Sequence, residues 1–67
     1  MSTFGENLKF ERQQAGYSQS ELAAKIGVKQ QQLSQWECDK VEPTLSNIIS
    51  ILKVLDIPFE ELVEELR

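Results

Sequence analysis

Histidine is absent from these 67 residues, cysteine occurs once and proline twice. Without histidine, the chain lacks the side chain that most often serves as general acid, general base or metal ligand near neutral pH. It also has no glycine-rich phosphate loop and no set of ligating residues at metal spacing. Enzymatic activity and a cofactor are therefore not expected. Cys38 is the sole cysteine, which excludes an internal disulfide and suits a reducing cytoplasm. Unaccompanied by histidine, it makes a poor metal or redox centre. No stretch approaches the roughly 20 consecutive apolar residues of a membrane span. The N-terminus lacks the basic and then apolar pattern of a secretory signal. Neither a membrane nor a small-molecule ligand is an expected partner.

What is present suits a compact helical protein. Apolar residues make up 40% of the chain and aromatics 7%, too much hydrophobicity for a disordered segment. The length predicts a single domain over residues 1–67. So small a core gains from idealised helix packing or from oligomerisation. The net charge of −4 is unusual for a protein that approaches phosphates. Its distribution softens the conflict. Through residue 55, Glu6, Glu11, Glu21, Glu37, Asp39 and Glu42 balance Lys9, Arg12, Lys25, Lys29, Lys40 and Lys53. The deficit comes from Asp56, Glu60, Glu61, Glu64 and Glu65 against Arg67.

Apolar periodicity and stop signals predict five helices, over about 3–15, 19–26, 29–37, 44–55 and 59–66. Phe4, Leu8, Arg12 and Ala15 form one face of the first helix, and Gly16 ends it. Ser18 and Glu21 have capping-box spacing and open the second, with Leu22, Ala23 and Ile26 buried. In the third, Leu33, Trp36 and Glu37 lie on one side. Gln31 and Gln35 face directly away from it, flanked by Gln30 and Ser34 on one edge and Gln32 on the other. Cys38 to Pro43 read as a polar loop. The fourth helix is given a core stripe of Leu45, Ile48, Ile49, Leu52 and Leu55, leaving Ile51 and Val54 outside it. Pro58 suits the first turn of the fifth, which is expected to bury Phe59 and Leu62.

Ala23, Gly27 and Leu33, within the stretch Gln19 to Glu37, carry the key spacing. A small residue lets two helices cross closely, a glycine permits the positive φ of the turn, and Leu33 locks the second helix onto the core. This arrangement resembles the helix-turn-helix unit of the phage repressor and Cro type (Xre-like), from about Phe4 to Leu62. The resemblance implies an all-α, five-helix repressor-like bundle. It further implies a sequence-specific transcriptional regulator, a repressor, that binds double-stranded DNA as a homodimer in a prokaryotic or phage-encoded cytoplasmic setting. An alternative is a protein-interaction or antitoxin-like module on the same fold.

Glutamine presents a donor and an acceptor on one planar amide, matching N6 and N7 of adenine. The resemblance assigns base reading to Gln30, Gln31 and Gln35, with Ser34 and Gln32 beside them. Taken without it, the same residues are the solvated face of an amphipathic helix. Gln19 matches a position that contacts phosphate and braces the recognition helix in relatives. Lys29 and Lys40 are further phosphate candidates. Arg12 and Glu37 match a structural ion pair of the family. Ile51, Val54, Val63 and Leu66 are the expected dimer interface. Three departures stand out. Lys29 replaces the usual Ser or Thr helix cap. Asp39 and Glu42 place acids in a loop near the DNA backbone, and Pro58 replaces a more usual serine.

Overall fold

The computed structural model describes residues 2–64, which form α1 (Phe4–Gln14), α2 (Gln19–Ile26), α3 (Gln30–Glu37), α4 (Leu45–Leu55) and α5 (Phe59–Val63). Among the described residues all regular structure is helical. The first four helices start and stop within about one residue of the sequence expectation. The fifth stops at Val63, where Glu64 turns to an extended backbone. None of the described helices is long and apolar enough to cross a membrane.

Local chemistry explains the boundaries. Thr3 and Ser18 are N-caps, each with a full capping box closed by Glu6 and Glu21. The Glu21 carboxyl is held below the ordinary carboxylate range by the backbone N–H and hydroxyl of Ser18. Thr44 caps α4 by accepting from the Asn47 N–H at 3.2 Å. At the other ends, α1 and α2 close on residues in the left-handed region, Gly16 and Gly27. Asp39 after α3 and Asp56 after α4 adopt the same conformation, with φ of 61° and 56°. Each of the four is followed by a residue whose N–H reaches back to the last turn: Tyr17 to Arg12, Val28 to Ala23, Lys40 to Gln35 and Ile57 to Leu52. These are the six-to-one bonds of Schellman closures.

The core gathers Leu8 from α1, Leu22 and Ala23 from α2, Leu33 and Trp36 from α3, Ile51 and Leu55 from α4, and Leu62 from α5. Helix α1 packs against α3 and α5, while α2 packs against α3 and α4. At Gly5 the approach of α1 and α3 is close enough to exclude any side chain. A Cβ there would lie 2.4 Å from the Glu37 carbonyl oxygen and 2.6 Å from that of Trp36.

Several expectations about the core are corrected. Ile51, assigned to a dimer surface, is fully buried, whereas Leu45 is 71% and Ile49 44% exposed. The inward face of α4 is rotated by roughly 60° from the expected stripe. Its apolar arc is wider than one monomer can cover, and packing on α2 selects the part that goes inside. Val54 is half-buried against the core, so it too belongs in part to the monomer. Ala15 is exposed because it caps α1 rather than continuing it. Phe59 stays 48% exposed at the first position of α5, and Leu62 alone of that helix is fully buried. Leu66 lies outside the described residues.

Helix α5 is tied to α1 by Asn7, whose Nδ2 donates to the carbonyls of Leu62 at 3.0 Å and Glu64 at 2.8 Å. The same seam also holds a carboxylate that opposes folding. Burial, and then the carboxylates of Glu61 and Glu64, raise the Glu11 carboxyl above its ordinary value. A raised carboxyl binds its proton more tightly in the folded than in the unfolded chain. Stability is therefore lost as pH rises from the ordinary carboxylate value through the raised one. Glu11→Gln is expected to melt higher than the wild type at pH 7, with the difference shrinking below about pH 4. Thermal melts across that range check it, and a constant difference would refute the assignment.

Candidate nucleic-acid interface

The site is built from α2, the turn Gly27–Lys29 and α3. Gly27, with φ of 78°, turns the chain between the two helices. Lys29 opens α3 from an extended backbone without any side-chain cap, since an ammonium has no lone pair to offer. Only the reciprocal half of a capping box is present. Gln32 Oε1 accepts from the Lys29 N–H at 3.1 Å, which engages one end of an amide that the sequence reading gave to DNA bases.

Behind α3 stands a buried ion pair. Arg12 Nε donates to Glu37 Oε2 at 2.7 Å and Nη2 to Oε1 at 3.1 Å, a two-pronged geometry. Arg12 Nη1 also donates to the Tyr17 carbonyl at 2.8 Å, so the guanidinium spans the end of α1 as well. Glu37 Oε1 takes a further bond from Gln19 Nε2 at 2.9 Å. Gln19 Oε1 in turn receives the Gln30 amide at a long 3.5 Å. One chain of polar contacts thus runs from the scaffold arginine through Glu37 and Gln19 to the first glutamine of α3. Among the described residues, no buried side-chain nitrogen or oxygen lacks a partner, as a stable buried polar network requires.

The outer surface of α3 is polar. Gln30, Gln31 and Gln32 are exposed, while Ser34 and Gln35 are half-buried. Gln19 is half-buried at the start of α2, and Lys29 and Lys40 are exposed at the two ends of α3. The structure therefore brings Gln19 and Gln30 into contact, and it pairs Arg12 with Glu37. Of the residues assigned to a dimer surface, Val63 lines an open groove of about 200 Å³ with Phe4, Glu42, Pro43, Ile48 and Phe59. Phe59 beside Val63, and Leu45 and Ile49 on α4, are exposed apolar residues that the sequence reading placed in the core. Asp39 does not stand free in its loop. Its carboxylate accepts from the Gly5 N–H at 2.9 Å and from the Thr3 hydroxyl.

Two short helices joined through a left-handed glycine, the second pinned from behind and polar in front, constitute a helix-turn-helix unit. The sequence profile of the helix-turn-helix family matches residues 8–62, and the chain belongs to that family, in its Xre-like branch. Antitoxin HipB of Escherichia coli K12 is 44% identical over 50 residues, 75% of this chain and 57% of HipB. The chain spans little more than half the length of the curated relatives it matches. Among solved structures, the P22 c2 repressor in complex with a synthetic operator superimposes with a TM-score of 0.87 at 26% identity, covering 96% of this chain and 97% of that one. The biofilm regulator SinR in complex with DNA gives 0.85 at 33% identity, covering 92% and 100%.

Arg12→Ala would strand the Glu37 carboxylate in the interior and leave the Tyr17 carbonyl without its donor. The expected loss of stability is about 3–5 kcal/mol. Arg12→Lys should fall between, because an ammonium cannot make the two-pronged contact. Denaturant unfolding reads both. A midpoint for Arg12→Ala equal to the wild type would show that the pair contributes nothing.

Proposed function

We propose that this protein is a sequence-specific transcriptional regulator, a repressor, that inserts α3 into the major groove of double-stranded DNA and acts as a cytoplasmic homodimer on a palindromic operator. The observation that carries the reading is the glutamine surface of α3 with Gln30 linked through Gln19 to a buried ion pair. An exposed glutamine is ordinarily floppy, whereas one held by a network is pre-ordered for a two-pronged contact with adenine. Gln30, Gln31 and Gln35 read bases directly, with Ser34 and Gln32 beside them. Lys29, Lys40 and the remaining capacity of Gln19 hold phosphates. The family relation favours this over catalysis, and no cofactor enters the mechanism.

The dimer forms through Phe59 and Val63, which line the apolar groove, and through the exposed Leu45 and Ile49 of α4. These residues expose hydrophobic area that a second copy would cover. Ile51 takes no part in it. An isologous contact there would set two recognition helices about 34 Å apart, one turn of the double helix.

The relation to antitoxin HipB supports a second reading, in which the chain is an antitoxin-like module that also engages a protein. Retention on nonspecific DNA at low salt separates a DNA regulator from a protein-only module, because phosphate-driven affinity falls steeply as salt rises.

The deciding experiment is selection of bound duplexes from a random pool at moderate salt. A two-fold symmetric motif with adenine-containing half-sites is expected, and Gln30→Ala should cost about 1–3 kcal/mol at one base position. Absence of any enriched motif, together with no binding at low salt, would remove the DNA reading. For the dimer, Val63→Asp and Phe59→Asp should convert a sedimenting dimer to monomer. A wild type that is already monomeric at high micromolar concentration would end that part.

A further inference from the structure

The contact between the end of α3 and the start of α1 has a role that the ion pair alone does not cover. Asp39 sits in the left-handed region, with φ of 61°, where glycine or asparagine is the more usual closure. Its side chain turns inward to the Gly5 N–H and the Thr3 hydroxyl. Thr3 Oγ1 meanwhile accepts the Glu6 N–H at 3.1 Å, so the aspartate is joined to the cap of α1 itself. On the same patch, the Trp36 and Glu37 carbonyls rest where a Gly5 side chain would be. The negative end of α3, with a full negative charge beyond it, is seated on the positive end of α1.

We propose that Asp39 is a positioning residue for the recognition helix. It is the second of two ties between α3 and α1, the first being Glu37 to Arg12. Gly5 and Arg12 stand roughly 10 Å apart along α1 at the helical rise. A helix held at one point can pivot about it. Two ties separated along the supporting helix resist that rotation and fix the angle at which Gln30, Gln31 and Gln35 are presented. The acid thereby serves base reading, although a carboxylate near phosphates would by charge alone oppose binding. The inference rests on α3 being the DNA-reading helix.

The test compares Asp39→Gly and Asp39→Asn with the wild type. Glycine keeps the left-handed turn at no steric cost and removes only the tie. Asparagine keeps the turn and can accept from Gly5 while donating to Thr3 Oγ1. Two readouts are taken: hydrogen exchange at the Gly5 amide without DNA, and the ratio of affinities for the selected duplex and a scrambled one. Asp39→Gly should speed Gly5 exchange and lower the ratio about tenfold, the worth of one well-placed base contact. Asp39→Asn should restore both. If the acid merely repels phosphate, both variants would bind every duplex more tightly with the ratio unchanged. That result, or wild-type exchange at Gly5 in Asp39→Gly, overturns the proposal. A wild type without sequence preference would instead remove the DNA-reading function, and the role in base reading with it. The Gly5 exchange rate would then still decide whether Asp39 ties α3 to α1.

Discussion

The Arg12–Glu37 pair is the constraint on which the rest of the structure depends. Two opposite charges removed from water are expensive unless their geometry and remaining hydrogen bonds are satisfied. Here the guanidinium serves three acceptors on two residues, and one carboxylate oxygen serves Arg12 and Gln19 together. The arrangement permits only one register of α3 against α1 and one approach of α2. A purely apolar interface of the same size would tolerate small rotations of α3. The polar one resists any movement that draws Glu37 away from Arg12, because that leaves a buried charge unpaired. A pivot about the pair is opposed by the second contact, from Asp39 to Gly5.

The helix-turn-helix core was legible in the sequence because its signals are local and mutually consistent. Ser18 with Glu21, Gly27, and the apolar positions Leu22, Ala23, Leu33 and Trp36 each report on neighbours within a few residues, and they agree. Helix α4 was legible as a helix but not as a surface. Six apolar side chains from Leu45 to Val54 spread around more than half its circumference, and periodicity does not say which part of so wide an arc faces inward. The choice of Ile51 over Leu45 is made by α2, more than twenty residues away in the chain. Phe59 failed for a related reason, since the first residue of a short helix can be apolar and still lie at the rim.

The site was legible in its parts and hidden in its couplings. Gln19, Gln30, Arg12 and Glu37 all carry a visible signal, yet the contact from Gln19 to both Glu37 and Gln30 follows only from how closely α2 and α3 cross. The contact between Gly5 and Asp39 was missed: Gly5 carried no signal, and Asp39 was read only as an acid near the DNA backbone. A glycine inside a helical pattern reads as a weak point, and an aspartate in a loop reads as a solvated charge. Both exist for a tertiary contact with no sequence period. Asp39 and Asp56 do share one detectable feature: each follows an amphipathic helix at the point where the left-handed closure falls, and aspartate tolerates that conformation better than most residues.

Helix α5 has only five residues, far below the length at which a helix persists alone in water. Its existence is conditional on α1, through Leu62 and the forked donation from Asn7. The two partners stand at opposite ends of the described chain. During synthesis, α1 through α4 therefore leave the ribosome with one flank of α1 uncovered, and that flank stays open until residue 62 has emerged. For those seconds the nascent chain carries a vacant apolar seat beside an unused amide donor. Any factor attending the growing chain would meet a surface that the finished protein never shows.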